Sequence, residues 1–207
     1  MVGKNDNNDQ ITLNEKNDFD VSEEMVSSNY GEHNMLVYPD KSTIRDIYSC
    51  YCKSSLEYNN GNNVDELVLL IPFYETVEGV KYTLRKKAGI DVEKYEKDGS
   101  LAIIDSFEAY SRHSNDSTYK IVLLSNLLLQ HAEIFGKKGI SIISDLGSFY
   151  QFGTVEDLIS YETSFPQKTD LKCKAFCSFH KDHFDMLSEY QKQNLLSHHF
   201  NNLVVAN

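Results

Sequence analysis

Short apolar runs, each followed by a stretch of helical period, recur along this chain and leave few folds open to it. His33–Tyr38, Val64–Phe73, Leu101–Asp105, Ile140–Ser144 and Leu171–Phe179 read as five strands. Their apolar character is continuous rather than alternating, as strands covered on both faces require. Between and after them, Ser42–Tyr58, Glu75–Ala88, residues 117–135, Val155–Phe165 and Asp182–His199 read as helices, the second closed by Gly89. Ile44, Ile47, Tyr48, Tyr51 and Ser55 form one face of the first helix. Leu203–Val205 adds a short edge strand. Alternating βα units favour parallel pairing with right-handed crossovers. The expected fold is α/β, a three-layer sandwich around a mainly parallel central sheet of five strands or slightly more.

The 207 residues suffice for one domain plus a tail. Residues 1–32 are rich in Asn, Asp, Glu and Ser without a sustained period, and are expected to be a disordered acidic tail, with the folded domain at 33–207. Net charge is −11, of which −6 falls in residues 1–34. Neither part has the basic surplus that neutralising phosphates demands, so direct nucleic-acid binding is not expected. No run approaches the ~20 apolar residues of a membrane span, and the start lacks the apolar core of a secretory signal. The expected compartment is the cytoplasm.

No metal and no cofactor are expected. Cys50 and Cys52 fall on opposite sides of a helix, two residues being ~200° apart. Cys173 and Cys177 share a strand face but stand about 13 Å apart. Neither pair closes on one zinc ion, and no zinc spacing is present. His180 and His183, three apart at a helix start, have no evident third ligand. GxSxG, HExxH and GxGxxG are absent. Pro39-Asp40-Lys41-Ser42-Thr43 ends like a phosphate loop but lacks its glycines. The turn is too short to curl N–H groups around a phosphate, and Pro39 offers none. A helix start capped by Asp40 or Ser42 is the simpler reading. No catalytic residue is assigned.

Open parallel sheets bind ligands at the carboxyl ends of their strands. Here that edge gathers Tyr38, Asp40, Lys41, Ser42, Tyr74, Glu75, Asp105, Asp145, Ser148, Phe149 and His180, the expected ligand-binding residues. Aromatic bodies with a few ionisable groups suit an apolar ligand held by a small number of polar contacts. Gly147 lets backbone come close to a ligand or makes a tight turn. The competing reading is that the acids cap helices and the aromatics pack helix ends. Around the helix 117–135, apolar side chains leave only a narrow polar wedge at Asn126, Gln130, Glu133 and Lys137. Such a helix is either wedged between neighbours or part of a homo-oligomer interface.

Several stretches carry a resemblance to one family: MLVYPDKST, EGVKYTLRKKAGIDVEKYEKDGSLAIIDS, ISIISDLGSF, LISYE ending at Tyr161–Glu162, and CKAFCSFHKDHFDML. On these, residues 33–207 resemble the MEDS domain, the sensory module named for methanogens, methylotrophs and the regulator DcmR. That family looks like a degenerate relative of the RecA/KaiC-type ATPases. In KaiC-like enzymes two adjacent acids follow the second strand; here the matching positions are Tyr74 and Glu75, with one acid lost. The Walker B aspartate matches Asp145, while the phosphate loop does not survive. The resemblance implies a non-catalytic signalling domain that binds a small organic ligand or a signalling protein, passing its output through a partner. The alternative it leaves open is a degenerate nucleotide binder, using Lys41, Ser42, Glu75 and Asp145, with little or no ATP hydrolysis.

Overall fold

A computed structural model of the chain describes residues 15–57, 66–110 and 117–206, with the side chains of 117–125 left out of the description. Its strands are β1 (Glu15–Lys16), β2 (His33–Tyr38), β3 (Glu66–Ile71), β4 (Leu101–Ile103), β5 (Gly139–Asp145), β6 (Cys173–His180) and β7 (Asn202–Val205). They form one all-parallel sheet in the order β1-β7-β2-β6-β5-β3-β4. This is the expected α/β sandwich, its sheet of seven strands among the described residues somewhat larger than five. β7 is not an edge: it lies between β2 and the two-residue β1.

The continuous apolar strands split their side chains between two cores, because successive residues point to opposite faces. On one face Leu36, Tyr38, Val68, Leu70, Ile143 and Phe176 pack against helices α1 (Asp18–Ser27), α2 (Lys41–Glu57) and α3 (Val77–Thr83). A π-helical turn, Leu84–Ala88, extends α3 and ends at Gly89 with φ 70°, the left-handed conformation glycine adopts freely. On the other face Met35, Val37, Leu69, Ile71, Cys177 and Phe179 meet α5 (Ser106–Tyr110), α7 (Gly147–Phe152), α8 (Val155–Thr163), α9 (Lys181–Asp185) and α10 (Glu189–His198). Helix α4 (Val92–Lys97) precedes β4, and α6 (Ser117–Ile134) precedes β5, sending Leu128, Leu129 and Ala132 against Leu67 and Ile140.

Order begins well before His33, which corrects the expected boundary of the tail. Helix α1 is capped by the Asn17 side chain, buries Val21 and Met25 completely, and packs on α2. Residues 1–14 of the tail, residues 64–65 of the expected second strand and the polar stretch 111–116 lie outside the described residues. The expected final helix is two helices. Ser188 and Gln191 exchange side-chain and backbone hydrogen bonds, a capping box that starts α10 afresh. Among the described residues no helix is long and apolar enough to cross a membrane.

Candidate functional site

Tyr38 ends β2 and pairs directly with His180 at the end of β6. From β2 the chain crosses by α2 on one face to β3; from β6 it crosses by α9 and α10 on the other face to β7. Two neighbouring strands whose connections leave in opposite directions open a crevice at their carboxyl ends. Six of the expected residues meet there: Tyr38, Lys41, Tyr74, Glu75, Asp145 and His180.

The crevice is dominated by polar contacts already made. The Tyr38 hydroxyl donates to Asp145 Oδ2, and the Gly147 N–H donates to Oδ1 at 2.9 Å. Asp145 is only 6% exposed. Burial pushes its carboxyl up to about 6, against the lowering effect of those two hydrogen bonds. Burial, reinforced by the Asp145 charge, holds the Tyr38 hydroxyl protonated far above the usual tyrosine range. A Cβ on Gly147 would stand 2.2 Å from the Phe73 ring, so the turn after β5 requires glycine for that close approach.

Glu75 is saturated with donors. Arg45 approaches through Nε at 3.1 Å and Nη2 at 3.1 Å, the Tyr48 hydroxyl at 2.8 Å and the Thr83 hydroxyl at 3.1 Å. A carboxylate so engaged anchors α2 and α3 to the loop after β3. Beside it, Tyr74 meets His180 edge-on at 5.5 Å, shares a 2.9 Å hydrogen bond with His183 Nδ1, and lies under Lys41 Nζ at 5.1 Å. Tyr150 stacks on His183 at 4.2 Å. Burial, with help from His180, lowers the His183 pKa and favours the neutral ring.

The remaining expected residues do not join this cluster. Asp40 Oδ1 accepts from the Ser42 and Thr43 N–H groups at 2.7 and 3.0 Å, capping α2 with both residues at the surface. Asp105 caps α5 through the Phe107 N–H at 2.8 Å, beyond β3 at the far side of the sheet. Phe149 packs into the second core between Tyr110 and Tyr161, and the Ser148 hydroxyl is buried without a partner among the described residues. Arg45 and Tyr48 were missed as site residues, although they sit four and seven positions after Lys41, on the same helical face. The crevice itself holds about 40 Å³, room for a few waters.

A larger cavity, about 250 Å³, lies on the opposite face of the sheet, under α5, α6 and α8. Leu69, Ile71, Ile142, Leu128 and Phe165 make its apolar wall; Tyr110, Ser144, Tyr161, His33 and Cys177 bring the polar groups. Against that wall sits a buried tetrad. His199 Nε2 stands 2.8 Å from Glu162 Oε2; His33 Nε2 stands 3.5 Å from the same oxygen and 3.3 Å from Cys177 Sγ. Burial would raise the Glu162 carboxyl, but the hydrogen bonds from His199 and His33 outweigh it and bring it down to about 2. Neither the tetrad nor the cavity was foreseen. No protein-family model matches the chain, and no curated protein matches its sequence.

Proposed function

We propose that this chain is a non-catalytic sensory domain that takes up a small, largely apolar organic molecule and signals through a partner protein. The observation that carries the reading is the 250 Å³ cavity under α5, α6 and α8. It exceeds the roughly 150 Å³ void known to accept benzene, and falls just short of the ~300–1,000 Å³ of drug-sized sites. A monocyclic compound with a few substituents is the expected size. Hydroxyls on Tyr110, Ser144 and Tyr161 would orient its polar end, the pattern of an apolar pocket with few polar groups. The MEDS resemblance supports the same class of function.

The carboxyl edge, where sequence alone would put the ligand, offers a crevice of only about 40 Å³, and its Asp145 is already bonded to Tyr38. A triphosphate there would need a wider opening and a phosphate cradle, and Glu75 would have to leave three hydrogen bonds and an ion pair to act as a base. Nucleotide binding is therefore the second reading. A homo-oligomer through α6 is the interaction the exposed side of that helix favours.

Native mass spectrometry of the purified chain, followed by thermal shifts with a panel of monocyclic compounds, tests the proposal. A retained or stabilising compound should lose its effect in Ile142→Phe, which fills the cavity. Stabilisation by ATP alone, or by compounds indifferent to that substitution, would move the function back to the carboxyl edge.

A further inference from the structure

The side chains of His33, Glu162, Cys177 and His199 come from four separate places: the start of β2, the end of α8, the middle of β6 and the residue after α10. All four are buried, and one ligand atom from each lies within 4.8 Å of the other three. Bonds of ~2.0–2.3 Å at tetrahedral angles separate the ligand atoms of a zinc site by roughly 3.3–3.8 Å. Contacts of 3.3 and 3.5 Å fall within that spacing, the 2.8 Å contact is shorter, and the other pairs lie within 4.8 Å.

Hydrogen-bond polarity decides what the cluster lacks. His199 Nδ1 lies 2.7 Å from the Leu195 carbonyl, which only accepts, so Nδ1 carries the proton. In a neutral ring Nε2 then presents a lone pair to the lone pairs of Glu162 Oε2. A proton between them would relieve that one contact as a buried ion pair. It would leave the buried Glu162 Oε1 with no donor among the described residues. An unpaired buried polar atom is destabilising, and more so for a charged group. A divalent cation instead accepts from both imidazoles, either carboxylate oxygen and the thiolate at once. The Nδ1–H···O=C bond of His199 is the outer-shell contact that orients metal-bound histidines.

We propose that His33, Glu162, Cys177 and His199 form a binding site for one divalent ion of the zinc class. Imidazole and thiolate donors select such an ion over magnesium or calcium. Neither cysteine pair is needed, since only Cys177 takes part. Binding would tie the start of β2 and the middle of β6 to α8 and α10, bracing one wall of the cavity. The proposal does not rest on what occupies that cavity.

The test uses the full chain with Zn²⁺ and Co²⁺ as probes. Elemental analysis after zinc addition and desalting should give one zinc per chain, with a raised melting temperature. Co²⁺ should give the intense visible bands of a tetrahedral site and a cobalt–thiolate charge-transfer band. That band should disappear in Cys177→Ala and persist in Cys173→Ala and Cys52→Ala. X-ray absorption of the zinc-loaded wild type, which depends on no variant folding, should show one sulfur among nitrogen and oxygen neighbours. Folded wild type that takes up no zinc, sulfur-free coordination, or a thiolate band that survives Cys177→Ala would each overturn the proposal.

Discussion

Tyr38, the last residue of β2, reaches across β6 to donate its hydroxyl to Asp145, the last residue of β5. The bond is possible because both residues have the parity of the same face and β6 ends in Ser178 and His180 between them. It lies at the carboxyl ends of the strands, beside the switch-point crevice. The buried Asp145 carboxylate is thereby given an internal partner.

The carboxyl of Asp145 makes stability depend on pH in a defined direction. Its folded pKa of about 6 lies above the unfolded value of 3.8, so the folded state binds the extra proton. Its contribution is most favourable below pH ~4, is lost as pH rises through 6, and is flat above. The span corresponds to about 3 kcal/mol. Asp145→Asn keeps an acceptor for Tyr38 but removes the charge. Urea unfolding between pH 4 and 7.5 should show the variant gaining on wild type by that order as pH rises. Parallel curves would refute the assignment.

Glu75 is expected to act in stability and not in catalysis. Glu75→Ala strands Arg45, Tyr48 and Thr83 and should cost about 1–3 kcal/mol. Steady-state phosphate release from ATP should be absent in wild type. Hydrolysis that vanishes in Glu75→Gln, in a variant as stable as wild type, would revive the ATPase reading.

The strands were legible because interior parallel strands are apolar on both faces, and His33–Tyr38 falls on β2 residue for residue. Helix α1 was not, since its buried side is little more than Val21 and Met25 in an acidic background. The break before α10 did leave a trace, the Ser188–Gln191 spacing of a capping box. Acids at strand ends were legible as positions, but their roles were not. Asp40 and Asp105 turn to the nearest helix start, while Asp145 turns inward because Tyr38, distant in sequence, meets it there. The tetrad left no spacing to read, because each ligand sits on a different element.

Helix α1 should behave as part of the domain. Met25→Ala removes a fully buried side chain between α1 and the sheet and should cost roughly 2–4 kcal/mol in denaturant unfolding. Limited proteolysis should spare residues 18–27. Rapid cleavage there, with the rest of the chain intact, would return the boundary to His33.

Helix α6 carries the last expectation, self-association. Its Leu128, Leu129 and Ala132 face the sheet, which leaves Leu127 and Ile134, seven residues apart on the other side, 53% and 81% exposed. A seven-residue spacing returns to almost the same side of a helix, so the two form one stripe rather than scattered apolar residues. Two copies of such a stripe are self-complementary about a two-fold axis, the commonest route to a homodimer. Ile134→Glu would place like charges together at that axis while touching nothing in the core, so stability should change by less than ~0.5 kcal/mol. Sedimentation velocity should then show a dimer for wild type and a monomer for the variant, with unchanged circular dichroism. A monomeric wild type, or a dimer that tolerates the glutamate, would leave the stripe without this role.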